Sequence, residues 1–163
     1  MIKDISIIFL IVAIVTVSGC ATTQTLSPMQ ARTITTKQME GSYENIYRAC
    51  LTTLQDNGYI IKNTDMNSGL ITATVDRETS HASQVMQVLL ARVIWDKGTL
   101  VEVSVMVNKI NDNASDVRIN IQETRYNQFG AKKHIKQIYD EELYYKLFNT
   151  IFTEVKRREA MKR

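Results

Sequence analysis

Two stretches near the middle of the chain, "LVEVSVMVNKI" (100–110) and "VRINIQETRY" (117–126), alternate apolar and polar residues on either side of "NDNASD" (111–116). A period of two marks strands with one buried face, and the Asn- and Asp-rich stretch between them marks a turn. A hairpin centred there pairs Val107 with Val117, Val105 with Ile119 and Val103 with Ile121. Its other face carries Glu102, Ser104, Asn108, Arg118, Asn120, Gln122 and Thr124, which leaves it wet or reserved for a partner.

Outward from this hairpin the periodicity changes to helical. Asp140 is placed to cap a helix whose stripe is Leu143, Tyr144, Leu147, Phe148, Ile151, Phe152 and Val155, the most apolar helix face in the chain. Between Tyr126 and Asp140 the residues read as a basic loop, with Lys132, Lys133, His134 and Lys136. On the N-terminal side, Ser42 is an N-cap for a helix over 43–57 with Ile46, Tyr47, Cys50, Leu51 and Leu54 on one stripe and Gly58 as its stop. "YIIKNT" (59–64) and "LITATVDR" (70–77) then form a second hairpin around "DMNSG" (65–69). "SHASQVMQVLLARVIW" repeats apolar residues at helical spacing and predicts a helix over about 81–94. "TITTKQM" (33–39) is a short edge strand, and "ATTQTLSPMQAR" (21–32), without periodicity, is a solvated linker.

Strands bracketed by helices without βαβ alternation imply an α+β domain. The expected architecture is an antiparallel sheet of four or five strands with two or three helices packed mainly on one face. The domain is expected over 42–163, preceded by a signal segment (1–19) and a linker (20–41).

That N-terminal segment is read from "ISIIFLIVAIVTV" (5–17), too short for the ~20 residues that span a bilayer and of the length of a secretory signal's apolar core. Val17-Ser18-Gly19-Cys20 resembles the lipobox of bacterial lipoprotein precursors, with Lys3 and the terminal amine as its only positive charges before Asp4. The resemblance implies cleavage before Cys20 and lipid attachment to its thiol. Ala21, rather than Asp, in the next position implies the periplasmic face of the outer membrane as destination. Two or more acyl chains anchor durably where one holds only reversibly.

The formal charge is +3 over 163 residues, and removal of residues 1–19 leaves it unchanged because Lys3 and Asp4 leave together. Such a charge does not argue for a polyanion, and the implied compartment excludes nucleic acid. With Cys20 lipidated, Cys50 has no disulfide partner; its helical phase makes it a buried core residue rather than a nucleophile.

Other chemistry is sparse. His81 and His134 lie far apart without metal-ligand spacing, and the six glycines are scattered at 19, 41, 58, 69, 98 and 130 rather than gathered in a phosphate loop. Asp65, Asp76 and Glu78 flank a hairpin, as solvated strand-end acids do. No acid, base and nucleophile converge, no cofactor is expected, and the chain is expected to be non-catalytic. Two basic clusters, around Lys132–Lys136 and over Lys156, Arg157, Arg158, Lys162 and Arg163, suit solvent, a helix dipole, lipid phosphates or an acidic partner. The segment 81–95, with Met86, Leu89, Leu90, Ile94 and the single tryptophan Trp95, is the candidate partner surface, although an apolar stripe also suits a core helix.

"LTTLQDNGYIIKNTDMNSGLITATVDR", followed by a strand hairpin and "DEELYYKLFNTIFTEV", resembles a family of uncharacterised proteobacterial lipoproteins, in which a helix ending in LQD, then Gly and an aromatic, leads into a strand. The architecture is also similar to the helix-grip domains of a lipoprotein subunit of the outer-membrane β-barrel assembly machine. These motifs are fold signatures and carry no catalytic residues. The expectation they support is a lipid-anchored periplasmic accessory or scaffold subunit of a cell-envelope complex, with an envelope protein as partner. The alternative is a periplasmic binding module for a small apolar or glycan ligand.

Overall fold

The structure, a computed structural model, describes residues 26–76, 99–126, 129 and 132–161. The elements in chain order are α1 (Pro28–Thr35), β1 (Thr36–Glu40), α2 (Tyr43–Asp56), β2 (Ile60–Asp65), β3 (Leu70–Asp76), β4 (Thr99–Asn111), β5 (Ala114–Tyr126), β6 (Lys132–Ile138) and α3 (Glu141–Met161). The architecture is α+β: among the described residues there are three helices and a six-stranded antiparallel sheet.

The central hairpin has the register that the alternation implies, with Val103, Val105 and Val107 opposite Ile121, Ile119 and Val117. Its turn is tightened by Asn111 Oδ1, which accepts from the Asn113 N–H at 2.8 Å. From this pair the sheet grows in both directions, β3 and then β2 beyond β4, and β1 and β6 beyond β5. β1 covers only Ala114–Arg118 of β5, and β6 covers Ile121–Tyr126, so two short strands share one edge of a long one.

Every second residue of the central strands enters the core. Ile71, Val105 and Ile119 form one row across the sheet, and Ala73, Val103, Ile121 and Ile138 the next. Ile46, Ala49, Cys50 and Leu54 of α2 and Leu143, Leu147, Ile151 and Val155 of α3 belong to the same cluster. Full burial of each such aliphatic side chain contributes ~1.5–3 kcal/mol, more than the ~1 kcal/mol of a cap, so packing rather than propensity holds the helices in place. The caps still define the ends. Ser42 Oγ accepts from the Asn45 N–H and Asp140 Oδ1 from the Leu143 N–H.

Gly69, with φ +77°, closes the turn before β3, where a Cβ would collide with the Val107 carbonyl oxygen. Its own carbonyl accepts from the Val107 N–H at 2.9 Å, so turn and sheet are one hydrogen-bonded unit.

Six expectations are corrected. The linker over 21–32 gives way from Pro28 to a helix, because Ser27 and Gln30 form a capping box and Pro28 supplies the fixed φ of a first helical residue. The domain consequently takes in α1 and β1 before residue 42, and the edge strand begins at Thr36 rather than Thr33. The basic loop contains β6: a strand of Lys, His and Gln is polar in pattern, yet β1 is too short to pair with the whole of β5. The strand number is therefore six rather than four or five. Phe152, placed on the core stripe of α3, is 47% exposed. The helix expected over 81–94 lies outside the described residues.

Candidate functional site

Among the described residues, the groups able to do chemistry are dispersed by the fold. Cys50 is fully buried under α3 and the sheet, and desolvation pushes its thiol up to about 12, so at neutral pH it is a protonated core residue. His134 is exposed on β6 opposite Arg125. Asp65 stands at the end of β2, its carboxyl held below the usual carboxylate range chiefly by the Ser68 hydroxyl and then by the Asn67 N–H, as a turn residue. Among the described residues no group of three or more His, Cys, Asp or Glu could hold a metal ion. Among them too, no helix is long and apolar enough to cross a membrane.

The basic C-terminus is partly internal to the fold. Arg157 makes a two-bond fork to Glu154, with both contacts at 2.6 Å, and Arg158 Nε meets the same carboxylate at 2.8 Å. Arg158 Nη2 also donates to Thr52 Oγ1 at 2.8 Å, which ties α3 to α2. These contacts, Arg157 above all, hold the Glu154 carboxyl below its usual range. Lys156 points elsewhere, with its ammonium 5.2 Å from the centre of the Phe152 ring.

Two surfaces gather side chains in a way that suits recognition. The first is a groove of about 560 Å³ between α1 and α3, lined by Thr33, Ile34, Lys37, Glu141, Tyr145 and Phe148, among others. Tyr145, Phe148 and Phe152 follow one another at i, i+3 and i+7 along α3, so they form a single stripe. Phe148 is 5% exposed, whereas Tyr145 is 65% and Phe152 47% exposed. The middle of the stripe is anchored and its ends face outward.

The second surface is the sheet face turned away from the helices. Thr72, Ser104 and Asn120 form one row across it, and Thr74, Glu102, Gln122 and Gln137 the next. With Lys62 these residues, Gln137 excepted, border a shallow cleft of about 280 Å³. Their side chains brace one another sideways: Gln137 Nε2 donates to Asn120 Oδ1 at 3.1 Å, and Thr124 Oγ1 to Glu102 Oε2 at 3.3 Å. The polar face expected of the central hairpin is a row-ordered surface of hydroxyls and amides, but it is wet only in part, since Thr74 and Thr124 are buried.

The candidate residues Cys20, Met86, Leu89, Leu90, Ile94 and Trp95 lie outside the described residues. The groove was not legible beforehand because α1 is hidden in a polar stretch and Phe152 lies close to the phase of the core stripe. A signal did exist, since Tyr145 falls outside that stripe next to two residues inside it. Glu123 was missed as well. It continues the apolar row of Val75 and Val101 yet is 1% exposed, with Arg125 Nε 2.6 Å from its carboxylate.

No family model matches the chain. No curated protein matches it either. Among solved structures, the chain is similar to the adenylate sensor from AMP-activated protein kinase in complex with 5-aminoimidazole-4-carboxamide 1-beta-D-ribofuranotide (ZMP), at 12% identity and a TM-score of 0.42, over 71% of this chain and 94% of that one. A likeness at that level carries no argument about ligand or activity.

Proposed function

We propose that the chain is a non-catalytic accessory or scaffold subunit of a cell-envelope complex, anchored by lipid on Cys20 to the periplasmic face of the outer membrane. It engages an envelope protein partner through the polar face of its sheet. The observation that carries this reading is the braced polar surface around Ser104, Asn120 and Gln122, a broad hydrogen-bonding platform opposite the helix layer. The anchoring half rests on the lipobox-like Val17-Ser18-Gly19-Cys20. The burial of Cys50 supports a structural role for its thiol.

The cleft on the same face favours a second reading, a glycan held by Lys62, Glu102 and the neighbouring hydroxyls. The volume of this cleft, about 280 Å³ against the ~300–1,000 Å³ of ordinary ligand sites, supports the scaffold reading over a ligand held there. A small apolar ligand would compete with the Ile, Val and Leu side chains that fill the space between helices and sheet.

Purification of the tagged protein from native membranes in mild detergent tests the proposal. A stoichiometric envelope protein is expected, lost both in Cys20→Ala and in the sheet-face double variant Ser104→Arg, Asn120→Arg. Normal anchoring and folding with no such partner overturns the scaffold reading, and a small molecule retained in native mass spectrometry establishes the binding module instead.

A further inference from the structure

The polypeptide between Cys20 and Pro28 spans eight residue steps, at most about 29 Å when fully extended. It enters the fold at α1, which packs beside α3 in the helix layer and not on the polar face of the sheet. A lipid on Cys20 therefore holds this layer within reach of the bilayer. Leu26 and Met29 are exposed at the point of entry, 40% and 79% respectively.

We propose that the aromatic stripe of α3, Tyr145 and Phe152 with Lys37 and Lys156 beside it, is a lipid-contacting surface that docks the domain on its own membrane, helix layer inward and polar sheet face outward. The inference rests on the lipid anchoring argued under the proposed function. Its chemistry is that of the headgroup–acyl boundary. Tyrosine offers an apolar ring with a hydrogen-bonding tip, which suits the level of the headgroups. The Lys156 ammonium over the Phe152 ring places a cation beside an apolar body, the arrangement of a side chain that keeps its charge in the headgroups while its stem and neighbour enter the apolar zone.

The charge around the groove is mixed rather than basic. Glu141 and Glu142 open α3 on the same rim as Lys37, with Glu142 2.9 Å from Lys146, and Lys156 lies 4.0 Å from Glu40. Mixed charge fits a bilayer rich in zwitterionic headgroups, with the attraction supplied by apolar burial and the tether. Short-range docking adds to the anchor because the tether turns the contact into an intramolecular one at high effective concentration. The orientation that results presents the Thr72–Ser104–Asn120 face to the periplasm, where the partner is found.

The test uses the full lipidated chain, reconstituted in vesicles of phosphatidylethanolamine with a minor fraction of phosphatidylglycerol. An environment-sensitive fluorophore is attached singly through Tyr145→Cys, Phe152→Cys or Gln122→Cys; the Cys20 thiol carries lipid and Cys50 is buried, so neither competes for the label. Nitroxide lipids are the quencher. Labels at 145 and 152 are expected to be blue-shifted and quenched several-fold more strongly than the label at 122. Equal quenching at all three positions overturns the inference. So does a blue shift at 145 without lipid quenching, which identifies a second copy or another protein as the occupant. Asn149→Cys, exposed on the same side of α3, reads the stripe if an aromatic replacement disturbs folding. Flotation and intact mass separate the two levels. A chain that floats with its acyl groups but shows no quenching at 145 overturns only the docking, whereas a chain without acyl groups overturns the anchoring and the docking together.

Discussion

Cys50 shows how burial converts a reactive residue into a structural one. Its thiol, fully enclosed by the core, is pushed up to about 12 from 9.0, so the folded state keeps the proton over a range in which the unfolded thiol ionises. The unfolded state then binds fewer protons, and the stabilisation present in full below pH 9 is lost as pH rises through the window toward 12. At most about 1.4 kcal/mol per pH unit is expected from one such group. Denaturant melts at pH 8 and pH 10 measure it, and Cys50→Ala should show the shallower decline. Tyr59 and Tyr144 are also raised by burial, but from an ordinary value of 10.0, so their loss begins higher. An unchanged slope in Cys50→Ala would mean that the thiol is reached by water.

At the scale of elements, β6 is secured by a residue outside the sheet. The Tyr144 hydroxyl, on the first turns of α3, donates to the Ile138 carbonyl at 3.1 Å and accepts from the Ile121 N–H at 3.2 Å. Ile121 and Ile138 face each other where β6 ends, so the hydroxyl bridges the two strands and pins them to the helix. Tyr144→Phe removes the bridge and keeps the ring. It leaves a buried N–H and a buried carbonyl without that partner, and a loss of about 1–3 kcal/mol is expected in urea unfolding. A structural bridge predicts in addition that β6 amides lose hydrogen-exchange protection before those of β3. At the other end of α3, the Glu159 carboxylate accepts from the Ser42 N–H at 3.3 Å and from Asn45 Nδ2 at 2.5 Å, which binds it to the start of α2.

For the whole molecule, stability should fall off from the middle of the sheet outward. β4 and β5 are each 13 residues long, paired on both sides, with an unbroken row of buried residues from Val101 to Val107 and from Val117 to Ile121. β2 is an edge strand with an irregular register between Ile61 and Asn63, and α1 buries only Thr35. Native-state hydrogen exchange should therefore show β4 and β5 amides opening only in global unfolding, with α1 and β2 opening first. Under the proposed anchoring the order bears on function, because α1 would stand between the tether and the core and would loosen first while the sheet stays intact.

Much of this architecture was legible along the chain. The alternation of 100–110 and 117–126 specified the hairpin and its register, since slipping by one residue would turn Val103, Val105 and Val107 to the solvent face. The stripes of α2 and α3 were legible for the same reason: a repeating burial requirement writes itself into the sequence. What only the tertiary structure decided was that which has no period. β6 exists because β1 leaves half of β5 unpaired, and α1 because a capping box starts a helix that then lies against α3. The groove that Tyr145 and Phe148 line exists only because α1 packs beside α3. Core faces are set by local spacing, but edges and grooves are set by which distant element arrives beside them, and no residue spacing within one element encodes that.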